Sequence, residues 1–199
     1  MALVLNGSTN TIAGLAVGGL PDGSVDTDTL AANAVTVAKA SGSVKGISIY
    51  DTWQLGASKN WSGTNYLDSD FDRSTIMPQV GSGMTRSGTV MSFPSTGIWE
   101  ITFILNSADG TENAYTQCWI QKTVNNGTNW SDLSSSLSNI PDDGSNTVYA
   151  SSVCVGLVDV TDVSNVKVRL GTANEQGAYI RGSTTEFQTG VIFKRIGDT

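Results

Sequence analysis

The sequence predicts an all-β protein: an antiparallel jelly-roll sandwich preceded by a small N-terminal attachment segment with short strands and one short helix. Three observations carry this reading. From Gly46 onward, short apolar or alternating runs are separated by clusters of Gly, Asn, Asp, Ser and Pro, with no helical period after residue 45. The first 45 residues contain no aromatic residue. The last run, Thr185 to Arg195, reads as a terminal strand with Gly190 inside an apolar stretch, where glycine signals close approach of another group.

The N-terminal segment, residues 1–45, comes first. Leu3–Leu5 and Thr11–Leu15 read as short strands around an Asn6-Gly7 turn, and Pro21-Asp22-Gly23 as a second turn. One helix is expected over Thr29–Ala40. Asp26, Thr27 and Asp28 supply capping oxygens at its start, and Lys39 and Gly42 mark its end. Its apolar side, Leu30, Ala34, Val37 and Ala38, is too small to bury much surface alone. Such a segment must pack on symmetry mates or on a partner, with Leu3, Leu5, Ile12, Leu15, Leu30 and Val37 as the attachment candidates.

Residues 46–199 then read as the head domain. Gly46–Leu55 is its first strand. A long polar connection, Gly56–Gly88, holds one short strand. Thr89–Phe93 and Gly97–Leu105 are split by Pro94-Ser95-Thr96, and Ala114–Thr123 follows. A second polar loop is expected over Val124–Asn146. Thr147–Leu157, Asn165–Gly171 and Thr185–Arg195 complete the set. In Gly97–Leu105 one face is wholly apolar, Trp99, Ile101, Phe103 and Leu105, and should point at the core.

Composition narrows the function. The chain has 199 residues, a net charge of −7 and no basic run, so phosphate-neutralising nucleic-acid binding is not expected. No apolar stretch is long enough to span a membrane, and the N-terminus lacks the basic start of a signal peptide. Charged residues make up only 15%, with Gly, Ser, Thr and Asn supplying polarity, a mixture typical of extracellular and virion β-proteins.

Catalysis finds little support. The absence of histidine removes Ser-His-Asp and Cys-His mechanisms and His-based zinc sites. No carboxylate pair identifies a glycosidase, so no enzyme activity and no cofactor are expected. Asp68-Ser69-Asp70-Phe71-Asp72 alternates carboxylates. Arg73 and Gln79 stand where an EF-hand needs Gly and Glu, which leaves an irregular calcium site or a solvated loop. Cys118 and Cys154 lie in expected strands, as buried thiols or as a disulfide between adjacent strands. Trp61, Tyr66 and Trp130 fall in polar loops. Loop aromatics either stack on sugar rings, which makes these three the glycan-contact candidates, or close the ends of the sandwich. Trp53, Trp99 and Trp119 read as core or interface, with Trp99 and Phe103 as core candidates.

Three stretches together resemble the trimeric TNF-like jelly roll. These are Phe93-Pro94-Ser95-Thr96-Gly97-Ile98-Trp99-Glu100-Ile101, the strand–turn–strand from Val155 to Val168, and the terminal stretch from Thr185 to Phe193, with its Phe187-Gln188-Thr189-Gly190-Val191-Ile192 pattern. The resemblance spans roughly the C-terminal 150 residues by layout. It implies a homotrimer with the last strand beside the subunit contact, and Phe187, Val191 and Phe193 as interface candidates. The N-terminal runs Leu3–Gly7, Gly14–Val25 and Leu30–Thr36, with the ending Arg195-Ile196-Gly197-Asp198-Thr199, resemble small structural proteins of tailed bacteriophages, especially marine and cyanobacterial ones. That resemblance implies a virion location, with residues 1–45 docking on other virion proteins. It leads to a short tail fibre whose head contacts a host surface glycan or protein. The alternatives are a capsid decoration or cement protein and a free-standing carbohydrate-binding module.

Overall fold

The computed structural model describes residues 4–6, 11–13, 46–110, 113–144, 146–175 and 178–199. The chain divides into two compact units, Met1–Ser41 and Gly42–Thr199. In the first, β1 (Val4–Asn6) and β2 (Thr11–Ala13) form an antiparallel hairpin with Leu5 opposite Ile12. The expected helix over Thr29–Ala40, and with it Leu3, Leu15, Leu30 and Val37, lies outside the described residues.

In the second unit the strands run β3 (Ile49–Leu55), β4 (Lys59–Asn60), β5 (Gly63–Tyr66), β6 (Phe71–Arg73), β7 (Thr85–Ser87), β8 (Val90–Ser92) and β9 (Gly97–Asp109). They continue as β10 (Asn113–Thr123), β11 (Ser131–Ile140), β12 (Val148–Val160), β13 (Lys167–Asn174), β14 (Tyr179–Ile180) and β15 (Gly190–Gly197). All described pairings are antiparallel, and no helix occurs among the described residues. The first sheet runs β12-β9-β15-β3-β6, with β14 and then β4 continuing on the β15 side of β9. The second runs β11-β10-β13-β8-β7, with β5 also on β13. The two layers are thus built on β12-β9-β15-β3 and on β11-β10-β13-β8. This is a jelly-roll sandwich, with the last strand in the interior of its sheet.

Period-two alternation fixes what each strand buries. On β9, Trp99, Ile101, Phe103 and Leu105 are fully buried, the face expected to point inward. Opposite them the second sheet contributes Met91, Cys118, Ile120, Val168 and Leu170 to the same core. Phe93 packs on Trp99 with ring centroids 5.1 Å apart, so the turn between β8 and β9 is closed by its two flanking aromatics.

Three stretches depart from the sequence expectation. The connection Gly56–Gly88, expected to hold one short strand, holds four, β4 to β7, each two to four residues long and recognisable only by its pairing. The loop over Val124–Asn146 contains β11, ten residues with five serines and three large aliphatics. Such a composition has little strand propensity of its own. It is strand because it pairs along β10 and shares a Ser138–Ser152 hydroxyl contact of 3.0 Å with β12. The terminal strand starts at Gly190 rather than Thr185. Upstream, the Ser183 hydroxyl accepts from the amides of Thr185 and Glu186, which bends the chain into a turn instead of a ladder.

Candidate subunit-contact face and aromatic site

The outer face of the first sheet leaves apolar side chains uncovered, chiefly along β12. Register aligns Val155, Thr102, Ile192 and Thr52 in one row across β12, β9, β15 and β3. The next row in one direction is Val153, Ile104, Gly190 and Gln54, and in the other Leu157, Glu100, Lys194 and Tyr50. Val153, Val155 and Leu157 are 49%, 51% and 58% exposed, and Ile196 lies half-exposed at the end of β15. One ion pair interrupts the patch, Lys194 Nζ to Glu100 Oε1 at 2.7 Å. Among the described residues β12 pairs only with β9, so its thirteen residues form a long edge with apolar side chains outward. Chains normally avoid that arrangement unless something covers it.

The terminal strand meets this face differently from the expectation. Val191 and Phe193 are fully buried in the core, opposite Phe103 and Ile101 of β9. Their side chains are taken up by the chain's own core. The same strand offers Ile192, Lys194 and Ile196 outward instead. Phe187 is half-buried and caps Gly190: a Cβ there would lie 2.6 Å from the Phe187 ring and 2.5 Å from the Trp53 carbonyl oxygen. The close approach that Gly190 signalled is this intrachain contact.

A second cluster sits on the solvent side of the second sheet. Arg169 of β13 lies between two aromatic rings, with its guanidinium carbon 4.2 Å from the Tyr66 centroid and 4.4 Å from that of Trp130. Its Nε donates to Gln121 Oε1 at 2.7 Å, the Tyr66 hydroxyl donates to the same oxygen at 3.2 Å, and Gln121 Nε2 donates to Asp132 at 2.7 Å. Trp119 stands edge-on to Tyr66 with its ring over Gly171; a Cβ at 171 would come within 2.3 Å of it. Beside Trp130 a cleft of about 280 Å³ is lined by Lys122, Thr123, Asn125, Asn129 and Ser131. Two of the three glycan-contact candidates therefore converge, each with one ring face already occupied by a cation. Trp61 does not join them and packs against the core. Arg169 and Gln121 escaped the sequence reading, and Trp119 was read only as core or interface. Alternation on β10 and β13 puts them outward, but only cross-strand register unites them with Tyr66 and Trp130.

The remaining polar candidates are spoken for individually. Asp70 pairs with Lys59 and Asp72 with Arg86, while the Asp68 carboxylate accepts from the Ser69 amide, so the three alternating carboxylates are engaged separately. Among the described residues no group of three potential metal-ligating side chains comes together. Asp51 is fully buried and saturated: it accepts from Arg73 Nε at 2.8 Å, Trp53 Nε1 at 2.9 Å and the Met84 amide at 2.7 Å. That network ties β3 to β6 and to the chain before β7, a structural assignment rather than an acid–base one.

No protein-family model matches the chain, and no curated protein sequence matches it. Solved structures do. Murine APRIL, crystallised at pH 8.5, superposes with a TM-score of 0.53 at 12% identity, covering 74% of this chain and 98% of that one. Eiger TNF from S. frugiperda gives a TM-score of 0.52 at 12% identity, covering 77% and 95%. At such identities the likeness is one of fold. The chain carries a TNF-like jelly roll.

Proposed function

We propose that this protein is a non-enzymatic virion structural protein of a tailed phage: a homotrimeric short fibre, attached through residues 1–45, whose jelly-roll head contacts the host surface. The observation that carries the self-association is the apolar outer face of β12, β9 and β15, with Val153, Val155 and Leu157 half-exposed on a long edge strand. Burial of such a face against two symmetry mates removes the edge and covers the Glu100–Lys194 pair. The TNF-like fold supports the number three. The phage assignment and the attachment role rest on the resemblance of the N-terminal runs and the C-terminal ending to phage structural proteins.

Two measurements test the reading. Mass determination at micromolar concentration should give three copies of the 20.8 kDa chain, and a monomer refutes the trimer. Deletion of residues 1–45 should abolish incorporation into particles while leaving the head folded, and unchanged incorporation refutes the attachment role. For host contact, Trp130→Ala opens the Tyr66–Arg169–Trp130 stack. It should weaken binding to host cells without changing the mass of the assembly.

A further inference from the structure

The chain has two cysteines, and the fold brings them together. Cys118 is on β10 and Cys154 on β12, strands of opposite sheets, and their sulfurs lie 3.6 Å apart in the core. The surroundings allow the two layers to approach closely, because the side chains between them are small. Two residues before each cysteine stand Thr116 and Ser152, linked through Ser138 by hydroxyl contacts of 3.2 and 3.0 Å, and Thr116 also meets Ser107 at 3.1 Å. This chain of hydroxyls joins β9, β10, β11 and β12 and holds the two sulfurs in register.

We propose that Cys118 and Cys154 are an oxidation site of the head, closing under peroxide-class oxidants to an intrachain disulfide that staples the two sheets. The sulfurs must move from 3.6 Å to a bond of about 2.05 Å, a shift that small side-chain rotations in a tightly apposed corner supply. The sulfur–sulfur contact with Cys154 holds the Cys118 thiol below its ordinary pKa, whereas the contact with Cys118 and burial push Cys154 far up. Cys118 is therefore the attacking sulfur. Its thiolate breaks the O–O bond of hydrogen peroxide, forming a sulfenic acid and releasing hydroxide, which takes up the thiol proton as water. The Cys154 sulfur then attacks the sulfenic sulfur, loses its proton and expels the second oxygen as water. Two thiols are oxidised by two electrons, and one peroxide is reduced to two waters. The bond closes a loop across a separation of 36 residues that contains β11, the strand with least propensity of its own. The inference is independent of the oligomeric and attachment readings.

The test uses the full chain, purified reduced and then exposed to hydrogen peroxide. Peptide mapping should find a Cys118–Cys154 cross-linked peptide. Thiol labelling after denaturation should fall from two groups to none. The thermal midpoint should rise by roughly 10 °C and return on reduction. Cys154→Ala should show neither cross-link nor shift, and should that variant not fold, the wild-type peptide map decides alone. Two free thiols persisting after oxidation of exposed methionines, or a cross-link between chains instead of within one, overturns the proposal. A cross-link without a rise in midpoint overturns the stapling role.

Discussion

Replacement of Leu157 by Asp separates the subunit-contact reading from its rivals most sharply. Leu157 is 58% exposed in the isolated chain, so its removal costs the monomer little, within about 0.5 kcal/mol. In a trimer the same side chain is covered. Burying a leucine completely is worth about 1.5–3 kcal/mol, so the exposed 58% corresponds to about 1–1.7 kcal/mol per subunit. Three copies lose about 3–5 kcal/mol, a factor of about 10² to 10⁴ in the overall association constant. The new carboxylate adds to this loss. It stands opposite Glu100 in the register, whose own charge is engaged by Lys194. Desolvating a second anion there costs several kcal/mol more. The matched control is Leu137→Asp. Leu137 is 66% exposed, but it belongs to β11 in the second sheet. Sedimentation at micromolar concentration should give a folded monomer for Leu157→Asp and an unchanged trimer for Leu137→Asp. A trimeric Leu157→Asp protein, or equal dissociation by both variants, refutes the assignment of the contact to this face.

Three further predictions rest on single contacts. Arg73→Ala strips the fully buried Asp51 of its cation and leaves only the Trp53 and Met84 donors. Breaking a buried pair costs about 3–5 kcal/mol, and the partial exposure of Arg73 places the expected loss at the lower end, measured by urea unfolding. Gly171→Ala forces its Cβ into the Trp119 ring, which should cost about 1–3 kcal/mol and shift tryptophan emission to the red; unchanged emission and stability refute the packing. Asp162 accepts from the Ser164 hydroxyl, the Ser164 amide and the Asn165 side chain, which hold its pKa below the usual 3.8. A depressed carboxyl contributes stability that is present above the unfolded pKa and is lost as pH falls through the folded one. A carboxyl-detected NMR titration should show the low midpoint, and Ser164→Ala should move it up; no movement refutes the assigned cause.

What was legible in the sequence followed from how local its cause is. The inward face of β9 could be read directly, because four apolar residues alternate within one strand and need no partner to be recognised. β11 could not, because its serines carry no pattern and only pairing with β10 makes them a strand. The terminal strand was recognised, but not which of its faces the chain's own core takes up. With a period of two, either face of Val191-Ile192-Phe193 is apolar, and only the register that sets Phe193 beside Ile101 and Val191 beside Phe103 fixes which one is inside. The same limit hid Arg169, which meets two aromatics distant in sequence, and left open the pairing of Cys118 with Cys154.

The strand that bears the functional argument was legible in one further respect. Val153-Cys154-Val155-Gly156-Leu157-Val158 has no polar face: Cys154 and Val158 are buried in the core, while Val153, Val155 and Leu157 point the other way. A strand apolar on both sides is the pattern of one covered on both sides. Among the described residues β12 is an edge strand covered on one side, so its sequence and its position disagree. Solubility alone would have favoured lysines or a bulge on that outer face, as edges usually carry. Instead the outward positions hold two valines and a leucine, next to Thr102 and Ile104 of β9 and Ile192 of β15. Loops cover part of this sheet near Gly190, where Phe187 caps it, but none reaches Leu157 enough to bury it. The mismatch disappears when copies of the chain supply the missing layer, and that is why the contact is placed on β12 and its neighbours rather than on the buried Val191 and Phe193 of β15.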